Sequence, residues 1–350
     1  MSHEVMFFAG FMAFIILMLA IDLGLFSKSN KAVSLKQAAI MSGVWVSFAL
    51  IFYVVLRVWG DELHNIESWE QLVTVTQKHL HNIALIPGNF EASLELYKKN
   101  LALEYITGYV VEYALSVDNI FVMVLVFSSF GVKPEYYHKV LVWGIIGAVV
   151  LRFIFIFIGA ALISKFGWIL YVFGFFLVYT GIMMFVNRNQ DDEIDPQNHA
   201  VVRFASKYFS VYPTFVGGKF FHKENGKKFI TPLFLVLLVI EFTDVIFAVD
   251  SIPAIFAVTK DPYIVFFSNI FAILGLRSMF FLLVNIIHKF HYLKVGLSFL
   301  LVFIGAKMLL HSWLTAWGFT TSHSLIIILS ILVISVVASL IFPKKEDYNH

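Results

Sequence analysis

What most limits this chain is the length of its apolar runs. Blocks rich in Leu, Ile, Val and Phe recur along the 350 residues. Many exceed the roughly 20 residues that carry a helix across the hydrocarbon of a bilayer. Backbone polar groups in lipid must be satisfied internally, so only helices or closed barrels can span. The runs are continuous and lack the alternation of the roughly 10-residue strands of a barrel. The expected fold class is an all-α polytopic membrane protein held in a lipid bilayer. Composition agrees: 60% of residues are hydrophobic and 14% charged, against about 25% charged in ordinary soluble chains.

The runs predict about nine transmembrane helices, over 5–26, 37–58, 101–129, 140–163, 166–187, 231–259, 263–288, 292–316 and 322–342, in one membrane domain. Polar stretches fall at 60–100, 188–230 and 343–350. The first run carries Glu4 on its flank and lacks a small-residue cleavage site, so it reads as a retained helix and not a signal peptide. With the N-terminus outside, cytoplasmic segments hold sixteen Lys and Arg, outer segments six, and helices the remaining three. That asymmetry predicts an N-out, C-in orientation.

Charge inside the apolar runs is the second constraint. Asp22, Glu112, Asp118, Glu241, Asp244 and Asp250 are acidic, whereas Arg152, Arg277 and Lys307 are basic. A carboxylate at bilayer depth costs roughly 2.5–3.5 kcal/mol and marks function by default. The acids also recur in a pattern. Val117-Asp118-Asn119-Ile120 resembles Val249-Asp250-Ser251-Ile252, and Glu112 precedes Asp118 by the same interval as Asp244 precedes Asp250. An arginine follows in the next helix of each half, Arg152 and then Arg277. Residues 101–187 and 231–316 therefore read as a three-helix repeat. An odd number of crossings inverts it, a plan common in transporters with midplane sites.

The acids outnumber the bases, so a bound cation or bound protons must restore balance, and exchange of a divalent ion for protons would use both states. The donor atoms near the motifs are oxygens, and the chain has no cysteine. Hard oxygen sites suit Mg²⁺, Ca²⁺ and Mn²⁺, and residue chemistry does not choose among them. The expected ligands are Glu112, Asp118, Asn119, Glu241, Asp244 and Asp250, with Ser251, Asn269 and the Val249 carbonyl as further oxygens. Pro253 would release that carbonyl by breaking the helix. Arg152, Arg277, Lys307 and Asp22 would balance charge or couple protons.

Plainer readings stand beside these. Arg152 could simply fasten Glu112 or Asp118, and Arg277 could fasten Asp244 or Asp250, as glue between helices. Asp22 lies near a helix end, where interfacial placement suffices. The run Asp191-Asp192-Glu193-x-Asp195 lacks the spacing and glycine of a calcium loop. His79 and His81 are two residues apart, which is not one helix face. No enzyme signature is present, no permanent cofactor is expected, and no basic, aromatic-interleaved patch points to nucleic acid.

The stretches SVDNIFVMVLVFSSF and EFTDVIFAVDSIPAIFAVTKDPYIVFFSNIFAILGLRSMFFLL resemble the TerC family, and the second resembles its Alx-like branch closely. AIDLGLF and LVFIGAKML also fit, whereas 60–100 fits least. The resemblance implies a bacterial inner-membrane protein of metal homeostasis, similar to manganese exporters. It places the family's acidic motif on Glu112, Asp118, Asn119, Glu241, Asp244 and Asp250. The expected function is export of Mn²⁺ in exchange for protons. The alternatives are a non-transporting membrane scaffold or assembly factor and a Ca²⁺ exporter.

Overall fold

The computed structural model describes residues 3–27, 34–81, 83–188, 195, 199–284 and 292–342, with the side chains of 3, 4 and 22–27 excepted. Twelve α-helices are described: α1 (His3–Ser27), α2 (Leu35–Trp59), α3 (Trp69–Lys78), α4 (Phe90–Ser129), α5 (Pro134–Lys165), α6 (Ile169–Val186), α7 (Ala200–Tyr208), α8 (Pro232–Phe256), α9 (Pro262–Leu283), α10 (Leu293–Leu309), α11 (His311–Ala316) and α12 (Thr321–Ile341). Among the described residues seven are long and apolar enough to cross a membrane: α2, α4, α5, α6, α8, α9 and α12. The other two apolar helices are α10, with 17 residues, and α1, whose apolar stretch is Val5–Ile21.

The boundaries differ most from the sequence expectation in two places, and α5 also begins early, at Pro134 against the expected 140. Helix α4 starts at Phe90 and has 40 residues, about 60 Å of helix against a hydrocarbon of about 30 Å. Its first turns, FEASLELYKKN, are polar but helix-favouring, and the Asn89 side chain caps the Ala92 N–H. The expected helix over 292–316 is instead α10 and the short α11, which meet at Leu310.

Helix α9 is the hub. From Ile264 through Phe280 every residue is buried, and α2, α4, α5 and α8 pack around it. Phenylalanines fill the seams: Phe11 meets Phe267 at 4.3 Å between ring centroids, and Phe52 meets Phe271 at 5.1 Å. Beside this group α6 and α10 approach backbone to backbone. A Cβ on Gly181 would lie 2.7 Å from the Ser298 carbonyl and 2.8 Å from Val302. One on Gly305 would lie 2.6 Å from the Gly174 carbonyl and 2.8 Å from Val178. Each α10 residue follows its α6 counterpart by the same number of positions, so the same contact is made twice.

The described parts of the two polar stretches are folded. In 60–100, Ser68 and Gln71 form a capping box on α3, and Leu63, Ile66 and Leu72 are buried beside Tyr97, Leu101 and Ala102 of α4. In 188–230, α7 buries Ala205 beside Ile230 and Leu235. A small hairpin, β1 (Phe221–Glu224) and β2 (Lys227–Ile230), precedes α8. Its turn, Asn225-Gly226, takes left-handed φ values of 48° and 81°, which suit a tight two-residue hairpin. This hairpin departs from a purely helical reading. The acidic run at 191–194 and the basic residues Lys28, Lys31, Lys289, Lys344 and Lys345 lie outside the described residues.

Candidate functional site

The repeated motifs meet on α4 and α8. The Asn119 side-chain amide donates to Asp244 Oδ1 at 2.9 Å, and Ser251 stands beside Glu112. Moving from Asn119 back to Glu112 along α4 corresponds to moving forward from Asp244 to Ser251 along α8. The two helices therefore run antiparallel, and the motifs face each other.

Arg152 of α5 joins them. Its guanidinium donates to Glu112 Oε1 in a short, buried contact, to Asp244 Oδ1 at 3.2 Å, to Asn269 Oδ1 at 3.1 Å and to Ser251 Oγ at 3.4 Å. Asn269 of α9 returns a bond to Glu112 Oε2 at 3.1 Å. Each of these six residues is at most 3% exposed. One guanidinium thus stands between two carboxylates, an arrangement that only charge-assisted hydrogen bonds make tolerable in a dry interior. Three atoms remain unsatisfied: Asp244 Oδ2, Asn119 Oδ1 and Arg152 Nε are buried without a partner.

The remaining expected residues fall around this cluster. Asp250 is half-buried and accepts from Thr180 of α6 at 3.4 Å, with the Asp118 charge close by. Glu241 abuts Gly147 and, with Asp244 and Arg277, lines a small cavity between α5, α8 and α9. Arg277 is bonded to His138 Nε2 at 3.2 Å. The two repeat arginines are thus placed differently: Arg152 is paired with acids from both motifs, and Asp244, which the plainer reading offered to Arg277 as one of two partners, pairs with Arg152. Lys307 lies towards the other end of the molecule, within the field of Lys260 and Glu104. Helix α8 continues through Pro253 to Phe256, so the expected break is not there, and the Val249 side chain faces outward. Asp22 is in α1, with its side chain outside the described residues.

A second polar cluster lies at the far end of α8 from the hairpin. His64 Nε2 meets Asp261 Oδ2 at 2.9 Å, and the His64 ring stacks on His79 at 4.9 Å. His81 Nδ1 meets Glu104 Oε2 at 3.0 Å, and Glu104 also accepts from Asn100 at 2.7 Å and Thr259 at 2.6 Å. Burial lowers His79 to about 4, which keeps its imidazole neutral at neutral pH. Burial also acts to lower His81, but Glu104 outweighs it and raises the pKa. Burial acts to raise Asp261, yet His64 and then His79 and His81 hold it below the usual carboxylate range. Sequence reasoning missed this cluster because its members are remote in sequence. The available signal was the His-x-His pair in an otherwise polar outer segment.

The family model described as "Integral membrane protein TerC family" matches residues 97–347. The chain belongs to the TerC family. It is 45% identical over 333 residues to an uncharacterized membrane protein of Myxococcus xanthus, covering 95% of this chain and 91% of that one. It is 41% identical over 339 residues to a "Putative membrane-bound redox modulator Alx" of Escherichia coli, covering 97% and 95%. The so-named protein of Salmonella typhi is 40% identical over 339 residues, with the same coverage. No solved structure matches the chain. This TerC protein, with its long apolar helices and bacterial relatives, is a multi-pass protein of the bacterial inner membrane. Both repeat motifs lie within the TerC match, whereas His64, His79 and His81 precede it.

Proposed function

We propose that this chain exports a divalent cation, Mn²⁺ foremost, from the cytoplasm in exchange for protons, through the cluster of Glu112, Asn119, Asp244, Ser251 and Asn269. One observation carries the reading: two acceptor oxygens on hydrogen-bonded residues, Asp244 Oδ2 and Asn119 Oδ1, are buried with no donor. Leaving such atoms unpaired costs about 1–3 kcal/mol each, more where charge is involved. A hard cation or a proton satisfies them, and the oxygen donor set suits Mn²⁺, Ca²⁺ and Mg²⁺. The choice of Mn²⁺ rests on family resemblance.

In this reading Arg152 is a tethered competitor. It occupies the space between Glu112 and Asp244, and an incoming divalent ion must displace it. The facing motifs and the twinned glycine contacts favour an inverted repeat, and the Lys and Arg asymmetry favours nine crossings, N-out and C-in. The two arginines would then exchange roles: Arg152 leaves the acids as Arg277 moves in from His138, turning the site from one side of the membrane to the other. Asp118, Asp250 and Glu241 line the approach and relay protons, with Lys307 and Asp22 as more remote charges and the Val249 carbonyl as a further oxygen.

The test is elemental analysis of cells under manganese load, comparing wild type with Asp244→Asn and Asp250→Asn at equal expression. Export predicts lower cell Mn with wild type only, while Mg and Ca stay level. A fall in Ca alone would favour a Ca²⁺ exporter. No change in any metal would favour a non-transporting scaffold. Redox modulation, the role for which the Alx relatives are named, would have to proceed here without thiols, because the chain has no cysteine.

A further inference from the structure

The polar cluster at the far end of α8 is built as a ligand site. We propose that His64, His79 and Asp261 form a second metal site, with His81 adjoining, that takes a divalent transition-metal ion through imidazole nitrogen and carboxylate oxygen. This inference stands on its own geometry and does not rest on the transport reading.

One ligand atom from each of His64, His79 and Asp261 can be chosen so that all three lie within 4.8 Å of one another. Ligands about 2.1 Å from an ion and at right angles stand about 3 Å apart, close to the 2.9 Å between His64 Nε2 and Asp261 Oδ2. A hydrogen-bonded His–Asp pair alone would account for that distance. It would not account for His79, only 5% exposed, whose Nε2 is buried with no partner. His81 shows the same feature: its Nε2 is buried and unpartnered while Nδ1 is fixed by Glu104. A carboxylate on one ring nitrogen with the other nitrogen left open is the outer-shell pattern of metal-binding histidines. Asp261 is likewise oriented, because its Oδ1 caps α9 through the Tyr263 N–H at 2.9 Å and leaves Oδ2 facing His64.

The backbone is bent to make this arrangement. Asn65 and Leu80 have φ values of 50° and 51°, in the left-handed region that non-glycine residues seldom adopt. Asn65 follows His64, and Leu80 separates His79 from His81. With Leu80 turned outward at 66% exposure, both flanking histidines are buried. Such strain gathers where surrounding structure holds side chains for a task. Nitrogen donors favour transition ions and disfavour Mg²⁺ and Ca²⁺.

The experiment uses the full-length protein in detergent, stripped with a chelator and titrated with Co²⁺, whose visible absorption reports nitrogen ligation. Wild type and Asp244→Asn should both show one nitrogen-ligated Co²⁺ that a large excess of Mg²⁺ does not displace. His64→Ala and His79→Ala should weaken it by more than the roughly 10–100-fold that an outer-shell change costs. His79→Gln, closer in size and polarity, is measured alongside, and only variants that elute as monodisperse protein are scored. A wild type without the nitrogen-ligated signal would overturn the proposal. So would a signal that survives the double His64→Ala/His79→Ala change, or one that Mg²⁺ removes. Loss of the Asp244→Asn transport phenotype would sink the export reading and leave this site standing.

Discussion

Asn119 donates its side-chain amide to Asp244 across 2.9 Å, and this contact orients the membrane cluster. Because the nitrogen points at the carboxylate, the amide oxygen is left facing away, without a donor. Asn119→Leu should remove both atoms, abolish manganese export and leave the chain folded. The checks are cell Mn content and a thermal melt in detergent. Normal export by this variant would take Asn119 out of the site.

Charge counting separates Asp244 from Arg152. Asp244→Asn leaves one guanidinium facing one carboxylate, a matched pair, so stability should hold or rise while transport is lost. Arg152→Leu leaves two buried carboxylates uncompensated and should cost about 3–5 kcal/mol. Adding Asp244→Asn to Arg152→Leu should recover part of that loss. Denaturation of the four proteins forms a double-mutant cycle, and additive effects would contradict the direct contact.

The α6–α10 seam predicts a matched pair of defects. Gly181→Ala and Gly305→Ala each force a Cβ against a carbonyl oxygen, and overpacking of this kind costs about 1–3 kcal/mol. The two losses should be similar, since the contacts are alike. Gly43→Ala meets nothing within 4 Å and should be neutral or stabilising by up to about 1 kcal/mol. Melting temperatures of the three variants test the comparison.

Acid should loosen the far-end cluster in metal-free protein. His79 is lowered from 6.5 to about 4, so the unfolded chain takes up a proton below about pH 6.5 and the folded chain does not until about pH 4. The stability this group contributes is whole above pH 6.5 and falls as pH drops through that interval. His79→Phe should flatten this part of the stability–pH curve, measured by chemical denaturation in the presence of chelator. An unchanged slope would show that His79 is not held neutral.

Several of these features were legible in the sequence, and others were not, for physical reasons. Long apolar runs leave a helix few alternatives, so most of the described part of each expected segment is helical. Glu112, Asn119, Asp244, Ser251, Asn269 and Arg152 were all singled out and do come together, because charge at bilayer depth must find partners. Which acid each arginine would meet was not legible, since that depends on how α5 and α9 lean against the motif helices. The start of α4 was missed because hydropathy registers lipid contact and is blind to a helix that continues into water. The histidine cluster was missed because His79-x-His81 was discounted for not sharing one helix face, whereas both lie past the end of α3, with Leu80 between them in the left-handed region.

Helix α4 carries members of both clusters on one uninterrupted rod. Glu104 holds His81 at one end, and eight residues on, Glu112 holds Arg152, about 12 Å away along the axis. A rigid rod has no slack to absorb a tilt between those points. Whatever lever action opens the carboxylate cluster to one side of the bilayer also shifts the floor beneath the histidines, so their geometry gives an external gauge of the membrane site's position.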